Sequence, residues 1–319
     1  MNDVKRVAVV GFGSLGAMYA GCFGRAMGAD GVFVVADEAR TAAYRSEPTV
    51  FNGEPIAATY LTYEEAAAQA RTQPFDVVLY AVKFGALEEA IAQSAPMVGL
   101  ETAVISVLNG VTSEEVLAER FGWDRVLLCV AQQMDSRKVG FTVTAGCVGV
   151  MALGVHDADD SAQQANLARV TAWLDAIEQP YICPEDIQHQ LWGKLICNVG
   201  VNQACAVYDC CFDGIHAEGE ARQAMIGAMN EVAAVGRACG INLTDADVAY
   251  WLDIIDHLNP AGLPSLRQDV LARRPTEVEL FGGTINRLGA AHGVPTPVNE
   301  RFYAAIKAIE RSYDTAPVG

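Results

Sequence analysis

The chain has 319 residues, 51% of them hydrophobic and 19% charged, which supplies a core for one large or two ordinary domains and excludes wholesale disorder. Its net charge of −17, with no basic run longer than pairs such as Lys5-Arg6 and Arg273-Arg274, argues against a nucleic-acid partner. The nine cysteines form no C-x-x-C pair and no metal-like spacing with the five histidines, so they read as free thiols in a reducing cytoplasm and no metal site is expected.

Arg6 to Val10, R-V-A-V-V, is the apolar run of a buried parallel strand. It leads into G-F-G-S-L-G, which is Gly11, Phe12, Gly13, Ser14, Leu15 and Gly16, and then a helical pattern to about Met27. In such a fingerprint the first glycine permits a tight turn, the second admits a pyrophosphate to the backbone, and the third packs helix against strand. The helix N-terminus then offers oriented N–H groups to the phosphates. A second strand, Val32 to Ala36, ends at Asp37, in the place from which an acidic residue reaches the adenosine ribose of NAD. Arg40, three residues on, could instead turn toward the 2′-phosphate of NADP. Residues 7 to 24 are uncharged and follow two basic residues, which imitates a signal peptide, but five glycines in the stretch fit the nucleotide loop better. No other stretch comes near a membrane span.

The alternation continues with a hairpin signal at Asn52-Gly53, a helix at 64–71, a strand at 76–82 followed by Lys83, and a helix at 87–94. A strand at 103–108 ends at Asn109-Gly110; Ser113 then caps a helix to about Phe121. A strand at 125–131, two more between 139 and 155, and a helix at 158–178 complete the α/β part. Such alternation predicts a doubly wound parallel sheet of Rossmann type, with ligands beyond the carboxyl ends of the strands, where Gly11, Lys83 and Asn109 fall. After a connector at Tyr181 to Pro184 only helices are expected, at 185–208, 217–239, 245–258, 265–273, 276–291 and 297–313. The expected division is therefore a dinucleotide-binding domain at 1–183 and an all-helical substrate domain at 184–319, with the site drawing on both and lying in the cleft between them.

The stretch Leu191 to Val207 is apolar nearly all round, yet carries Lys194, Asn198 and Asn202. Residues four apart advance about 400° on an α-helix, so the three form one stripe. A lysine on a buried helix is costly unless something pairs with it or uses it, which suggests the polar wall of a cleft; a lysine snorkelling from a half-exposed helix is the alternative. Glu277 and Glu279, two apart on a helix, point about 200° apart, so only one can face such a cleft, and capping is the other role open to Glu277.

The chain resembles the ketopantoate reductases over nearly its whole length. The resemblance rests on G-F-G-S-L-G, V-K with Lys83, N-G with Asn109, and W-G-K-L-I-C-N-V-G-V-N with Lys194, Asn198 and Asn202. It extends to P-S-L-R-Q-D-V with Ser265 and Asp269, R-R-P-T-E-V-E with Glu277, and T-P-V-N with Asn299. It implies hydride transfer from NAD or NADP to a 2-keto acid, above all 2-dehydropantoate, in pantothenate biosynthesis. Lys194 then matches the general acid and Glu277 the residue that anchors it and the substrate hydroxyl. Ser265, Asn198 and Asn202 match substrate contacts, and Lys83 and Asn109 match contacts near the nicotinamide and its ribose. The implied partner is a small 2-keto acid, with no nucleic acid and no membrane; a homodimer is left open. The chain departs from the family's pattern at Asp37, where many members carry Arg, at Glu277-Val278-Glu279, where many have Glu-x-Asp, and at Thr144, where a histidine is common. The family mostly uses NADP; Asp37 tips this chain toward NAD. An opine-type or hydroxy-acid dehydrogenase of the same architecture, or a non-catalytic nucleotide sensor, are the alternatives.

Overall fold

The computed structural model describes residues 4–313 and resolves into two compact units. The first runs to Asn109 and includes Ser113–Ile187; the second comprises Gly110–Thr112 and the chain from Gln188 on.

The first unit begins with β1 (Val7–Val10), α1 (Ser14–Met27), β2 (Val32–Ala36), α2 (Glu38–Ser46), β3 (Val50–Phe51), β4 (Glu54–Pro55), β5 (Thr59–Thr62) and α3 (Tyr63–Ala70). It continues with β6 (Val77–Tyr80), α4 (Leu87–Ser94), β7 (Ala103–Ser106), α5 (Ser113–Phe121), β8 (Val126–Met134), β9 (Arg137–Val139) and β10 (Thr142–Thr144). It closes with β11 (Val148–Gly154), α6 (Ser161–Ala176) and β12 (Tyr181–Ile182). The main sheet has the order β12-β11-β8-β7-β6-β1-β2-β5, parallel throughout except where β11 runs antiparallel to β8. The apolar runs are continuous because both faces are covered. Val7, Val9 and Leu79 enter one core with Phe23 and Trp173, while Ala8, Val10 and Tyr80 enter another with Leu87 and Leu117.

A second, four-stranded sheet, β4-β3-β10-β9, folds against α1. Asn52 and Gly53 both take positive φ, 50° and 89°, in the two-residue turn of the β3–β4 hairpin. Glycines in α1 allow the approach: a β-carbon on Gly21 would lie 2.4 Å from the Phe51 ring, and one on Gly24 would lie 2.5 Å from the Ala57 carbonyl oxygen.

The second unit is helical: α7 (Ile187–Val207, whose first residue belongs to the first unit), α8 (Asp213–His216), α9 (Glu220–Ala238) and α10 (Asp245–Asp256). There follow α11 (Ser265–Leu271), α12 (Thr284–His292) and α13 (Pro297–Arg311). Thr244 and Asp247 form a capping box on α10, and Gly293 ends α12 in the left-handed conformation. The long helix α7 is buried along Trp192, Leu195, Ile196 and Val199. Gly200 packs it on α9, where a β-carbon would come within 2.4 Å of Met229.

Four sequence expectations change. Tyr181–Ile182 is not only a connector; it adds β12 to the sheet edge by pairing with Met151 and Ala152. The stretch read as two strands between 139 and 155 holds β10 and β11, and β9 begins just before it, at Arg137. Ser113 does not cap α5 from outside; it is the first helical residue, and its hydroxyl bonds Ser106 and Glu114. The helix expected at 276–291 starts late. Residues 276–278 are not helical, Glu279–Gly283 is a single π turn, and α-helix begins only at Thr284, after two glycines.

Candidate active site

The main sheet changes winding direction between β1 and β6. The chain leaves β1 toward β2 and β5 on one side, then returns through β6, β7 and β8 on the other. Ligands of such sheets bind at this switch point. Gly11 and Lys83 follow these two strands. Gly11 has φ +94°, and a β-carbon there would lie 2.7 Å from the Ala81 carbonyl and from Val82, so only glycine lets the two loops meet. Gly16 brings α1 onto the loop: a β-carbon there would stand 2.0 Å from the Gly11 carbonyl oxygen. Gly13 is exposed and has nothing within 4 Å of its β-carbon position. An open glycine at the N-terminus of a 14-residue helix, flanked by half-buried Ser14 and Leu15, fits the backbone cradle that a dinucleotide pyrophosphate requires.

Around this loop the fold gathers residues far apart in sequence. The Phe12 ring packs edge-on against Tyr44 and Tyr60, with centroids 5.0 and 5.8 Å away. From β9 and the residue before it, two side chains reach back to the loop. Ser136 shares a 2.7 Å hydrogen bond with the Ser14 hydroxyl and donates to the Ser14 carbonyl, and Lys138 Nζ donates to the Phe12 carbonyl at 2.5 Å. Lys138 also lies 4.7 Å from the Phe12 ring centroid and 5.4 Å from that of Tyr44. Burial holds its pKa below the ordinary lysine value.

Asp37 caps α2 by accepting the Arg40 N–H at 2.8 Å, and its other oxygen pairs with the Arg40 guanidinium at 3.0 Å. Carboxylate and guanidinium therefore stand together at the end of β2. Lys83 is exposed and opens a short 3-10 turn, Phe84–Ala86; Asn109 is half-buried just beyond β7.

In the second unit, Lys194 and Asn198 are half-buried and Asn202 is 5% exposed, a polar stripe on an otherwise apolar helix. Neighbouring Cys197 has its thiol pushed up to about 12 by burial, with the Lys194 ammonium working the other way. The Asn198 side-chain amide nitrogen is buried without a hydrogen-bond partner. Such a donor is expensive to leave unsatisfied and suits a ligand acceptor. The Asn202 side-chain oxygen accepts from the Ser265 hydroxyl at 3.1 Å and from the Leu266 N–H at 3.0 Å, so Asn202 ties α7 to the N-terminus of α11 and fixes Ser265.

Glu277 is half-buried, and its carbonyl accepts the Leu280 and Phe281 N–H groups at the entry to the π turn. Glu279 is exposed; it accepts the Tyr303 hydroxyl at 2.7 Å and pairs with Lys307 at 3.3 Å on α13. Asn299, a residue of the resemblance, is fully buried. It accepts from Gln203 and donates to Ala228 and Glu231, a structural knot of α7, α9 and α13.

Sequence reading missed Ser136, Lys138 and Tyr44. No local signal could find Ser136 and Lys138, which meet loop residues 122 and 126 positions away because β10 pairs with both β3 and β9. Tyr44 comes from α2, and only its ring contact with Phe12 brings it to the loop. Among the described residues no helix is long and apolar enough to cross a membrane, and no group of three or more His, Cys, Asp or Glu could hold a metal ion.

A glycine fingerprint at the switch point of a mostly parallel sheet, joined to a helical unit, places the protein among the Rossmann-type oxidoreductases. Within that class the relationship is narrower. Residues 7–157 match the family model described as ketopantoate reductase PanE/ApbA, and residues 186–310 match its C-terminal counterpart, ketopantoate reductase PanE/ApbA C terminal. The chain belongs to the ketopantoate reductase family. It is 28% identical over 259 residues to the 2-dehydropantoate 2-reductase of Vibrio cholerae, covering 79% of this chain and 86% of that protein. It is also similar to the solved PanE/ApbA family ketopantoate reductase of Ralstonia eutropha JMP134, with TM-score 0.82 and 25% identity over 97% of this chain and 99% of that one. A D-mandelate dehydrogenase, solved with NADH and anilino(oxo)acetate, shares the fold at TM-score 0.85 and 19% identity over 97% of this chain and 99% of that one.

Proposed function

We propose that this protein reduces a 2-keto acid to the 2-hydroxy acid with a nicotinamide dinucleotide, and that 2-dehydropantoate, giving pantoate, is its substrate. The observation that carries the reading is the α7 stripe, where Lys194 and an Asn198 donor without a partner stand on a buried helix. The family relatives named 2-dehydropantoate 2-reductase support the substrate.

Gly11–Gly16 would hold the dinucleotide, with Lys83 and Asn109 toward its nicotinamide; when bound it would supply a hydride equivalent. The residues of the chain do the rest. Lys194 gives a proton from Nζ to the oxygen of the 2-carbonyl as its carbon is reduced, and its charge steadies the alkoxide character that develops. Glu277 anchors the ammonium and a substrate hydroxyl. Ser265, held by Asn202, meets the substrate carboxylate, and Asn198 donates to a substrate oxygen. One proton from Lys194 and one hydride balance the conversion of ketone to alcohol, and solvent reprotonates the lysine. Asp37 supports NAD as the preferred cofactor, since its carboxylate suits a ribose diol and repels a 2′-phosphate.

The test is a panel of 2-keto acids, from 2-dehydropantoate to aryl 2-keto acids, with NADH and NADPH, followed by nicotinamide absorbance. Turnover best with 2-dehydropantoate upholds the reading. Turnover best with an aryl keto acid keeps the reaction and replaces the substrate. Dinucleotide binding with no turnover on any member points to the sensor.

A further inference from the structure

Lys138 is a half-buried ammonium at the edge of the nucleotide loop. Its contacts are the Phe12 carbonyl at 2.5 Å and the faces of Phe12 and Tyr44, and among the described residues it forms no ion pair with a carboxylate. Asp37 and Arg40, the charged groups that act on Tyr44, are paired with each other. In a chain with 39 acidic and 22 basic residues, a partly desolvated cation without a carboxylate is placed against the prevailing balance. A carbonyl and two ring faces stabilise it only in part.

The position is specific. Ser136 and Lys138, two residues apart, reach loop residues 14 and 12, so this short strand lines the loop whose open Gly13 fits a pyrophosphate. A cation beside that loop meets a charge of opposite sign once a dinucleotide arrives. We propose that Lys138 is a phosphate-binding residue of the dinucleotide site, neutralising a phosphate group of the cofactor while bracing the loop through the Phe12 carbonyl. The inference rests on the reading that a nicotinamide dinucleotide binds here. Two phosphates share this chemistry: the pyrophosphate common to both cofactors, and the 2′-phosphate of NADPH alone. Tyr44 follows Arg40 by one helical turn on α2, so the cation also borders the ribose corner.

The experiment measures dissociation constants of NADH, NADPH, ADP-ribose and adenosine by calorimetry for the wild type, K138M, K138R and S136A. Methionine keeps a long apolar stem over the rings and removes the charge. Losing one charge-assisted contact is expected to weaken binding about tenfold or more. NADH, NADPH and ADP-ribose weakened alike by K138M, with adenosine unchanged and K138R restoring affinity, assigns Lys138 to the pyrophosphate. NADPH alone weakened assigns it to the 2′-phosphate. Either outcome upholds the proposal, and in both the wild-type affinity falls more steeply with salt than that of K138M. S136A, which loses a loop contact without losing charge, serves as the structural control. The proposal is overturned if K138M binds all four ligands as the wild type does, if adenosine weakens as much as ADP-ribose, or if S136A reproduces the K138M losses. A wild type that binds neither dinucleotide overturns the cofactor reading itself, an outcome visible before any variant is made. Thermal melting of each variant shows that folding is intact.

Discussion

Gly16 approaches Gly11 so closely that a β-carbon on Gly16 would lie 2.0 Å from the Gly11 carbonyl oxygen, whereas Gly13, between them, has nothing within 4 Å. The two glycines of one motif therefore differ in kind: Gly16 packs α1 against the loop, and Gly13 stays open, where the proposed cofactor would approach. Gly16→Ala should displace the helix and cost on the order of 1–3 kcal/mol or more. Gly13→Ala should melt close to the wild type, because its φ of −72° suits any residue, yet lose dinucleotide affinity. Thermal melting and nucleotide titration of both variants check this. A Gly13→Ala protein with unchanged affinity would show that the open position is not where the cofactor approaches.

Much of the fold is legible in the sequence because burial on both faces leaves uninterrupted apolar runs in β1, β2 and β6, and nearly one in β7. Edge elements are not. β5, T-Y-L-T, is only half-buried and its pattern lacks that signature, and β12 is two residues held in place by β11. The stripe on α7 is visible as spacing, but the division of labour within it is not. Asn202 spends its side-chain oxygen on the start of α11, while Asn198 keeps a donor without a partner. Spacing gives the face of a helix, and only tertiary packing decides which group on that face remains available.

Lys194→Ala is expected to lower kcat by on the order of 10²–10⁴ while leaving nucleotide affinity intact, since a general acid acts mainly in the transition state. Lys194→Arg should fail as well, because a guanidinium does not release its proton near neutrality. Steady-state kinetics with a parallel dinucleotide titration separate the two effects, and wild-type turnover in Lys194→Ala would remove the lysine from the mechanism.

Glu279 is engaged by Tyr303 and Lys307 on α13, with its side chain 53% exposed. An exposed pair of this kind contributes about 0–1 kcal/mol, so Glu279→Gln should leave activity unchanged and stability nearly so. Glu277→Gln should raise KM or cut kcat. Equal kinetic losses in both variants would contradict the assignment of roles.

Glu114 is fully buried at the start of α5, and burial pushes its pKa up to about 7, against the ordinary 4.5. One oxygen accepts the Ser113 hydroxyl, and the other has no partner. The folded state thus holds the proton more tightly than the unfolded chain. Stability from this group is complete below about pH 4.5 and is lost as pH rises from there through about 7, by roughly 3 kcal/mol in all. Glu114→Gln removes the titration, so its melting temperature should gain on the wild type between pH 5 and 8. Parallel melting profiles over that range would show that the carboxyl does not titrate there.

The proposed NAD preference rests on Asp37 and Arg40, and their contacts make its test sharper than deletion alone. Asp37 caps α2 through the Arg40 N–H and pairs with the Arg40 guanidinium, so Asp37→Ala would remove a charge and a helix cap together. The cap alone is worth about 1 kcal/mol. Asp37→Ser keeps a capping oxygen and removes the charge, which isolates the electrostatic part. A carboxylate close to a 2′-phosphate in a partly screened site repels it by on the order of 1–4 kcal/mol, or about tenfold in affinity per 1.4 kcal/mol. The wild type is expected to show higher kcat/KM with NADH. Asp37→Ser should raise kcat/KM for NADPH at least tenfold relative to NADH, because Arg40, released from its partner, is then free to meet the phosphate. Adding Arg40→Ala to Asp37→Ser should cancel that gain. NADPH preferred by the wild type, and the preference lost in Arg40→Ala alone, would mean that the guanidinium already turns toward the cofactor and that Asp37 holds the helix rather than selecting the nucleotide.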